Sequence, residues 1–411
     1  MNQRISIRNL QIITALESIS FGLHYHYNFV YIQMLGGSFI SEGFLVTCLT
    51  VAELLSSYVT QIFTRSRGKK CALMVILTIA FFSHLITIMS NKLWMFMIAR
   101  FIFSLTHQTK QLCYKFLLGK ETNLKIRETL SINLSVLHGS GFVFGPVIGA
   151  YLLTKSPHCM EAGAAVLVLI CIIFLIAVDS DESEVPCEHI ASDESLMRTI
   201  RSKVPEIFQQ LQDSDLKLNW DLLLLKFLFV ASITEFFVQF KHILTRNYEL
   251  LSIIAKDCTV AYMNSIVFIS SWYLDILKIR SKYSIEWTFC LIALLSLLLC
   301  YAPSYKFFML LLIPFVLLKT LNMNLLKDLI SQRKNEALEQ IQPLAAIAAN
   351  LTTPILFGVV CNSVGTVAVI PFTCVPLVVC WLVTRLYTKK FNYKNMEEGG
   401  HYSHGSHSKA E

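Results

Sequence analysis

Blocks of about twenty apolar residues recur along this chain, and the short loops between them are alternately basic and nearly neutral. Crossing the hydrocarbon core of a bilayer takes roughly 20 residues of helix. Backbone amides that lose water there have to be satisfied within the segment, which for blocks of this kind leaves the helix. The blocks fall at residues 9–33, 40–62, 71–90, 93–118, 130–153, 160–178, 221–245, 255–276, 285–302, 304–326, 337–360 and 366–386. The expected fold class is therefore an all-α membrane protein with twelve transmembrane helices. Charged residues make up only 15% of the chain, against about 25% in a soluble domain, so an ordinary soluble enzyme is a poor reading. No small-residue cleavage site follows the first block, which is expected to remain as a signal-anchor span.

Loop charge sets the orientation. Alternate loops hold Arg4 and Arg8, then Arg65, Arg67, Lys69 and Lys70, then Lys120, Lys125 and Arg127, then Arg198, Arg201 and Lys203. The pattern continues through Lys278, Arg280 and Lys282, through Lys327, Arg333 and Lys334, and ends at Arg385, Lys389, Lys390 and Lys394. The intervening loops hold little beyond Lys92, Lys155, Arg246, Lys256 and Lys306. Basic loops stay on the cytoplasmic side, which places both termini and the central loop there. Topology thus accounts for the net charge of +7 without a nucleic-acid partner, and the lipid bilayer is the surrounding medium. The twelve cysteines form no Cys-x-x-Cys pair and sit mostly within spans, as small buried hydrophobes. Neither a disulfide nor a metal site is expected. In the tail, His401, His404 and His407 lack the fixed geometry a metal needs.

The apolar rhythm stops between residues 179 and 219, which begin acidic with Asp179, Asp181, Glu182 and Glu184 and become basic further on. This divides the chain into a first half at 1–178, a cytoplasmic linker at 179–219, a second half at 220–386 and a tail at 387–411. The halves echo each other. Ser56-Ser57-Tyr58 matches Ser270-Ser271-Trp272, and Glu128, Leu130 and Pro146 recur at one offset as Glu336, Leu338 and Pro354. Two six-helix pseudo-repeat halves follow, an arrangement common among transporters.

The fifth block contains Gly141, Gly145, Pro146 and Gly149, a Gly-x-x-x-Gly-Pro-x-x-Gly pattern. Spaced glycines let a neighbouring helix come close, and a proline inside a membrane helix bends it where neighbours re-satisfy the backbone. The pattern resembles the fifth-helix antiporter motif of the major facilitator superfamily, where it marks drug:proton exchangers. A second signature of that family, Gly-x-x-x-Asp-Arg-x-Gly-Arg-Arg between the second and third helices, is matched only in part. Here Arg65, Gly68, Lys69 and Lys70 keep the glycine and the basic pair, but Arg65 lies near the place of the aspartate. In the family that loop is a cytoplasmic gate, so this departure puts the usual latch in doubt. From Arg100 to Leu153 the chain resembles an orphan group of animal transporters in the family and, through it, the bacterial tetracycline-efflux proteins.

Polar residues form stripes inside four spans. The first carries Glu17, Ser20, His24 and Asn28; the fourth Arg100, Ser104, His107 and Gln111; the seventh Glu235, Gln239, His242 and Arg246; the tenth Lys319 and Asn322. At helical spacing each set shares one face. Charged groups in a bilayer core face the bundle interior or a water-filled cavity. The resemblance implies that these four helices line a central cavity. Glu53 on the second span, Lys110 and Lys115 on the fourth and His138 on the fifth are further buried polar residues. Low dielectric disfavours the charged carboxylate, so Glu17, Glu53 or Glu235 can load and release a proton, and the histidines can relay it.

The chain has no Walker loop for ATP, no Ser–His–Asp set and no cofactor motif. The expected activity is secondary transport: proton-coupled export or exchange of a small organic solute by a monomer, with no cofactor and no enzymatic step. A sensor or scaffold derived from such a transporter is the alternative. Cysteines placed in the 65–70 loop should react with an impermeant thiol reagent only from the cytoplasmic side; labelling from the other side reverses the topology.

Overall fold

The computed structural model describes residues 2–24, 27–120, 124–178, 220–248, 251–277, 285–332, 336–365 and 369–386. Within them the chain forms α1 (Asn2–His24), α2 (Tyr27–Met34), α3 (Phe39–Ile88), α4 (Leu93–Ser104), α5 (Thr109–Lys120), α6 (Leu124–Lys155) and α7 (Pro157–Ile176). After the linker come α8 (Trp220–Asn247), α9 (Ile253–Leu277), α10 (Ile285–Cys300), α11 (Tyr305–Gln332), α12 (Glu336–Val364) and α13 (Val369–Leu386). Among the described residues there is no strand. Phe39–Arg65, Arg67–Ile88, Glu128–Lys155, Pro157–Ile176, Tyr305–Ser331 and Pro343–Val364 are each long and apolar enough to cross a membrane. The linker and the tail, with His401, His404 and His407, lie outside the described residues.

Each expected span is met by helix, but not always by one helix. On the first, α1 and α2 flank residues 25–26, which lie outside the described residues, while the fourth is divided between α4 and α5. The fourth breaks where hydroxyl side chains compete for the backbone. Thr106 Oγ1 donates to the Phe103 carbonyl at 2.6 Å and Thr109 Oγ1 to the Thr106 carbonyl at 2.9 Å. The amides of Thr106 and His107 reach back three residues, to Phe103 and Ser104, so the turn tightens and the helix restarts at Thr109.

The second and third spans, by contrast, are the two arms of α3, joined at Gly68 with φ 80° and ψ 168°. That φ favours glycine, so one residue does the work expected of a longer loop. Arg65 is exposed, while Lys69 and Lys70 are partly buried. Lys70 Nζ donates to the carbonyls of Val178 and, at 3.4 Å, Ile176, where α7 ends and its last carbonyls lack helical partners.

The contacts divide the chain into two compact units. One holds Met1–Glu206, Phe240–Phe268 and Asn350–Ala368; the other holds Ile207–Gln239, Ile269–Ala349 and Val369–Glu411. In the first unit α1 lies along α6 and against α7, and α3 packs on α4 and α7. The α1–α6 seam is backbone on backbone. A Cβ added at Gly145 would lie 2.6 Å from Gly22 Cα, one at Gly22 would lie 2.6 Å from the Gly141 carbonyl oxygen, and one at Gly149 would lie 2.8 Å from the Leu23 oxygen. Gly43 and Phe39 of α3 likewise meet Pro354 and Gly358 of α12, and Phe268 of α9 covers Gly139. Two apolar clusters fill this unit. One gathers Leu10, Leu77, Phe103, Phe116, Leu134 and Val168, the other Leu23, Tyr27, Tyr31, Leu45, Phe96 and Met160.

In the second unit α10 packs on α11 and α13. Polar side chains tie it together: Ser232 Oγ donates to the Thr373 carbonyl at 2.5 Å, and Ser270 and Thr320 share a hydrogen bond at 3.1 Å. Phe229 stacks edge-on against Phe289, and Phe236 packs on Phe315.

The seam yields a stability test. Gly145→Leu should separate α1 from α6 and cost about 1–3 kcal/mol or more, as overpacked cores do. The neighbour an added Cβ meets at Gly163 is the movable end of Leu152, 3.0 Å away, so Gly163→Ala should be tolerated. Thermal unfolding of the two variants in detergent distinguishes them.

Candidate functional site

Four elements of the first unit bring ionisable side chains to one buried point. His24 ends α1, His84 sits on the second arm of α3, Arg100 is mid-α4 and Glu161 lies in the first turns of α7. None is more than 2% exposed. The Arg100 guanidinium pairs with Glu161 Oε1. Glu161 Oε2 lies 3.0 Å from His24 Nε2 and 3.2 Å from His84 Nδ1. The other nitrogen of His24, Nδ1, is 2.6 Å from the Ser20 carbonyl one turn back. The two imidazoles stack at 4.7 Å, and Phe103 packs on both. Arg100 also lies against the rings of Phe96 and Phe103, at 5.3 and 5.9 Å, so both apolar clusters wall the site.

Burying a charge demands a partner, because an isolated ion outside water is costly. Arginine stays ionised in proteins, so Glu161 is what keeps Arg100 tolerable here. The network is nonetheless incomplete: among the described residues Arg100 Nε and Nη1 and His84 Nε2 have no hydrogen-bond partner. His24, His84 and Glu161 each offer a ligand atom within 4.8 Å of the others. The Arg100 guanidinium on the same carboxylate repels a divalent cation placed among them.

One residue of the expected stripes, His107, meets the further candidate Glu53 elsewhere. His107, in the turn between α4 and α5, places Nε2 3.0 Å from Glu53 Oε1, with the side chains 32% and 53% exposed. Phe21 packs on the His107 ring at 5.3 Å. Because the fourth span breaks at this turn, Arg100, His107 and Gln111 do not share one face: Arg100 is buried and Gln111 exposed. Glu17 and Asn28 are partly buried on α1 and α2. His138 on α6 lies 2.6 Å from Ser18 Oγ.

His242 pairs with Glu42 of α3 at 3.0 Å, and Gln33 Nε2 donates to the other oxygen of Glu42 at 3.0 Å. The side chains of Glu235, Gln239, Arg246 and Lys110 lie outside the described residues. In the second unit Lys319 Nζ sits 4.0 Å from the Phe237 ring centre, and Asn322 is fully buried, accepting from Thr288 Oγ1 at 2.6 Å. Of the motif glycines, Gly141, Gly145 and Gly149 form the α1 seam, while Pro146 and Gly149 line a small cavity with Tyr27 and Asp257.

Sequence reasoning passed over Glu161, His84 and Glu42. Glu161 stands at the edge of an apolar block and reads as an interfacial residue. His84 follows Ser83 in an otherwise apolar stretch with Phe81, Phe82 and Leu85. The available signal for Glu161 was the small-residue run Ala162-Gly163-Ala164-Ala165 after it, which lets neighbours approach.

Arg100→Ala should strand the Glu161 carboxylate and destabilise the protein by about 3–5 kcal/mol, as breaking a buried pair does. Arg100→Lys should recover part of this, since an ammonium keeps the charge but not the planar fork. Thermal unfolding checks both.

The chain covers 93% of its length on the human organic anion transporter MFSD10 (TETRAN), with TM-score 0.58, 12% identity and 99% of that chain matched. Nucleoside transporter NupG matches over 97% of this chain and 100% of its own, with TM-score 0.71 and 14% identity. A bacterial homolog of the human lysosomal transporter Spinster, in its inward-facing and unoccupied conformation, matches over 98% and 99%, with TM-score 0.68 and 10% identity. At these identities the likeness is one of fold. No curated relative matches the sequence. The family model described as Major Facilitator Superfamily matches residues 12–338, most of the chain, and the protein therefore belongs to that superfamily.

Proposed function

We propose that the chain is a secondary transporter that moves a small organic solute across a membrane by alternating access, in exchange for protons. The observation that carries this reading is the buried network of Arg100, Glu161, His24 and His84. A packed membrane helix bundle needs no such group for stability, and intramembrane ionisable clusters mark ion paths. The Glu53–His107 pair adds a second, partly exposed carboxylate–imidazole contact. The glycine–proline pattern of α6 supports exchange, since it resembles the antiporter motif. From Arg100 to Leu153 the likeness to the group of major facilitator superfamily domain-containing protein 9, and to tetracycline-efflux proteins, favours an amphipathic cargo. Organic anions and nucleosides, named for two structurally similar transporters, are small organic molecules of the same broad class.

The reading places both termini in the cytoplasm, with six-helix halves at 1–178 and 220–386, the linker and tail on the same side, and a monomer as the working unit. Alternating access then requires the extracytoplasmic ends to part. The contacts that would break are Glu42–His242, Gly43–Pro354 and Phe39–Gly358. Arg65 in place of the usual aspartate favours a second reading, a sensor or scaffold that binds a ligand and moves nothing.

An untargeted comparison of metabolites taken up by vesicles with and without the protein supplies the solute. Flux of that solute in reconstituted vesicles should then rise with an imposed pH gradient. Flux indifferent to the gradient rejects the coupling, and ligand-induced thermal stabilisation without flux selects the sensor.

A further inference from the structure

We infer that the line between His24 Nε2 and Glu161 Oε2 holds one exchangeable proton, and that this is the proton-binding site of the molecule. The inference rests on the exchange reading above and deepens it by assigning the site.

The donors and acceptors around this line do not balance without such a proton. The Ser20 carbonyl can only accept, so His24 Nδ1, 2.6 Å away, carries a hydrogen. A neutral imidazole has one N–H, so His24 Nε2 would then be a bare lone pair. Yet Nε2 lies 3.0 Å from Glu161 Oε2, which as a carboxylate oxygen is also only an acceptor. Two lone pairs do not meet at that distance without a proton between them. Either His24 is an imidazolium donating to the carboxylate, or Glu161 is a carboxylic acid donating to a neutral His24. Both descriptions contain the same single proton beyond those the other bonds need. His84 requires none: a neutral ring donates from Nδ1 to Oε2, and its Nε2 lone pair is left without a partner among the described residues.

Two opposing terms poise the site. With the proton, Arg100, Glu161 and His24 sum to one buried positive charge, offset by the rings of Phe96 and Phe103. Without it the charge cancels, but Nε2 and Oε2 face each other as lone pairs and the contact has to open. Loading the proton joins the end of α1 to α7; releasing it from this line severs that bond. Arg100 and His84 are positioning residues, holding the carboxylate from its other oxygen and from the side.

The ionisable groups facing this line are His84 from α3, Arg100 from α4 and Tyr27 from α2, with Tyr31 packed behind Tyr27 and donating to the Ser90 carbonyl. Beyond them lie Asp257 of α9, across the small cavity that Tyr27 lines, and the exposed His158 at the start of α7. Glu17 and His138 sit about two turns away along α1.

Histidine-labelled nitrogen NMR and infrared spectroscopy of the purified full-length protein read the proton directly. Across a pH series the wild type should show either a doubly protonated imidazole shielded from solvent or a buried carboxylic acid band, present at the acid end and lost at the alkaline end. Glu161→Gln should abolish that signal while keeping the hydrogen bonds. Its amide oxygen can stay on Arg100 and its amide nitrogen can donate to two neutral rings. Should that variant fail to assemble, His24→Phe, which keeps the packing on Phe103, makes the assignment. A titrating signal that persists in the assembled variant overturns the site, as does a wild type with neither species at any pH. Flux that ignores the pH gradient in a protein showing this signal overturns the exchange reading alone.

Discussion

A guanidinium that keeps its charge outside water has to be met by a carboxylate, and in this protein Arg100 is met by Glu161. Much of the first unit is arranged around that necessity. The pair draws α4 to α7, and the carboxylate's second oxygen draws in α1 through His24 and α3 through His84. Four helices, the first and last of them far apart in sequence, are thereby fixed at one level. The aromatic rings of Phe96 and Phe103 complete the enclosure, supplying polarisable faces where water is excluded.

What brings α1 close enough is a separate, apolar device. The seam of Gly22 against Gly141, Gly145 and Gly149 lets two backbones touch, and dispersion at that distance replaces the hydrophobic drive that lipid does not provide. The seam and the cluster lie on different sides of the same helix. His24 points to α7 and α3 while Gly22 and Leu23 lie on α6. The glycine seam and the buried ionisable network are therefore mechanically adjacent without sharing a residue.

The architecture was legible because its signals are local. A block of twenty apolar residues and a basic loop each announce themselves within one window of sequence. The glycine run of α6 likewise announces a close approach, though not that its partner would be Ser18 and Gly22. The site was harder to read because its chemistry is a matter of pairing. Arg100 and Glu161 are separated by the whole of α5 and α6, and a helical stripe says nothing about which neighbour a side chain meets. The stripe on the fourth span also assumed an unbroken helix. Thr106 and Thr109 carried the contrary signal, since hydroxyls near backbone carbonyls favour turns. Glu53 and His107 were both singled out from sequence, and their contact at 3.0 Å depends on that turn.

The turn at Leu105–Gln108 has a mechanical consequence. A continuous helix is a stiff rod, and tilting one end carries the other with it. A helix interrupted at mid-length is two short rods on a joint, so each can follow its own neighbours. Here the segment bearing Arg100 is bound to the buried network, while the segment bearing Gln111 begins past the joint and His107 rides on the joint itself. A rearrangement at the buried carboxylate need not drag the whole span; it can be taken up by rotation about a few backbone bonds beside the Glu53–His107 pair, turning a local change of charge into a change of angle.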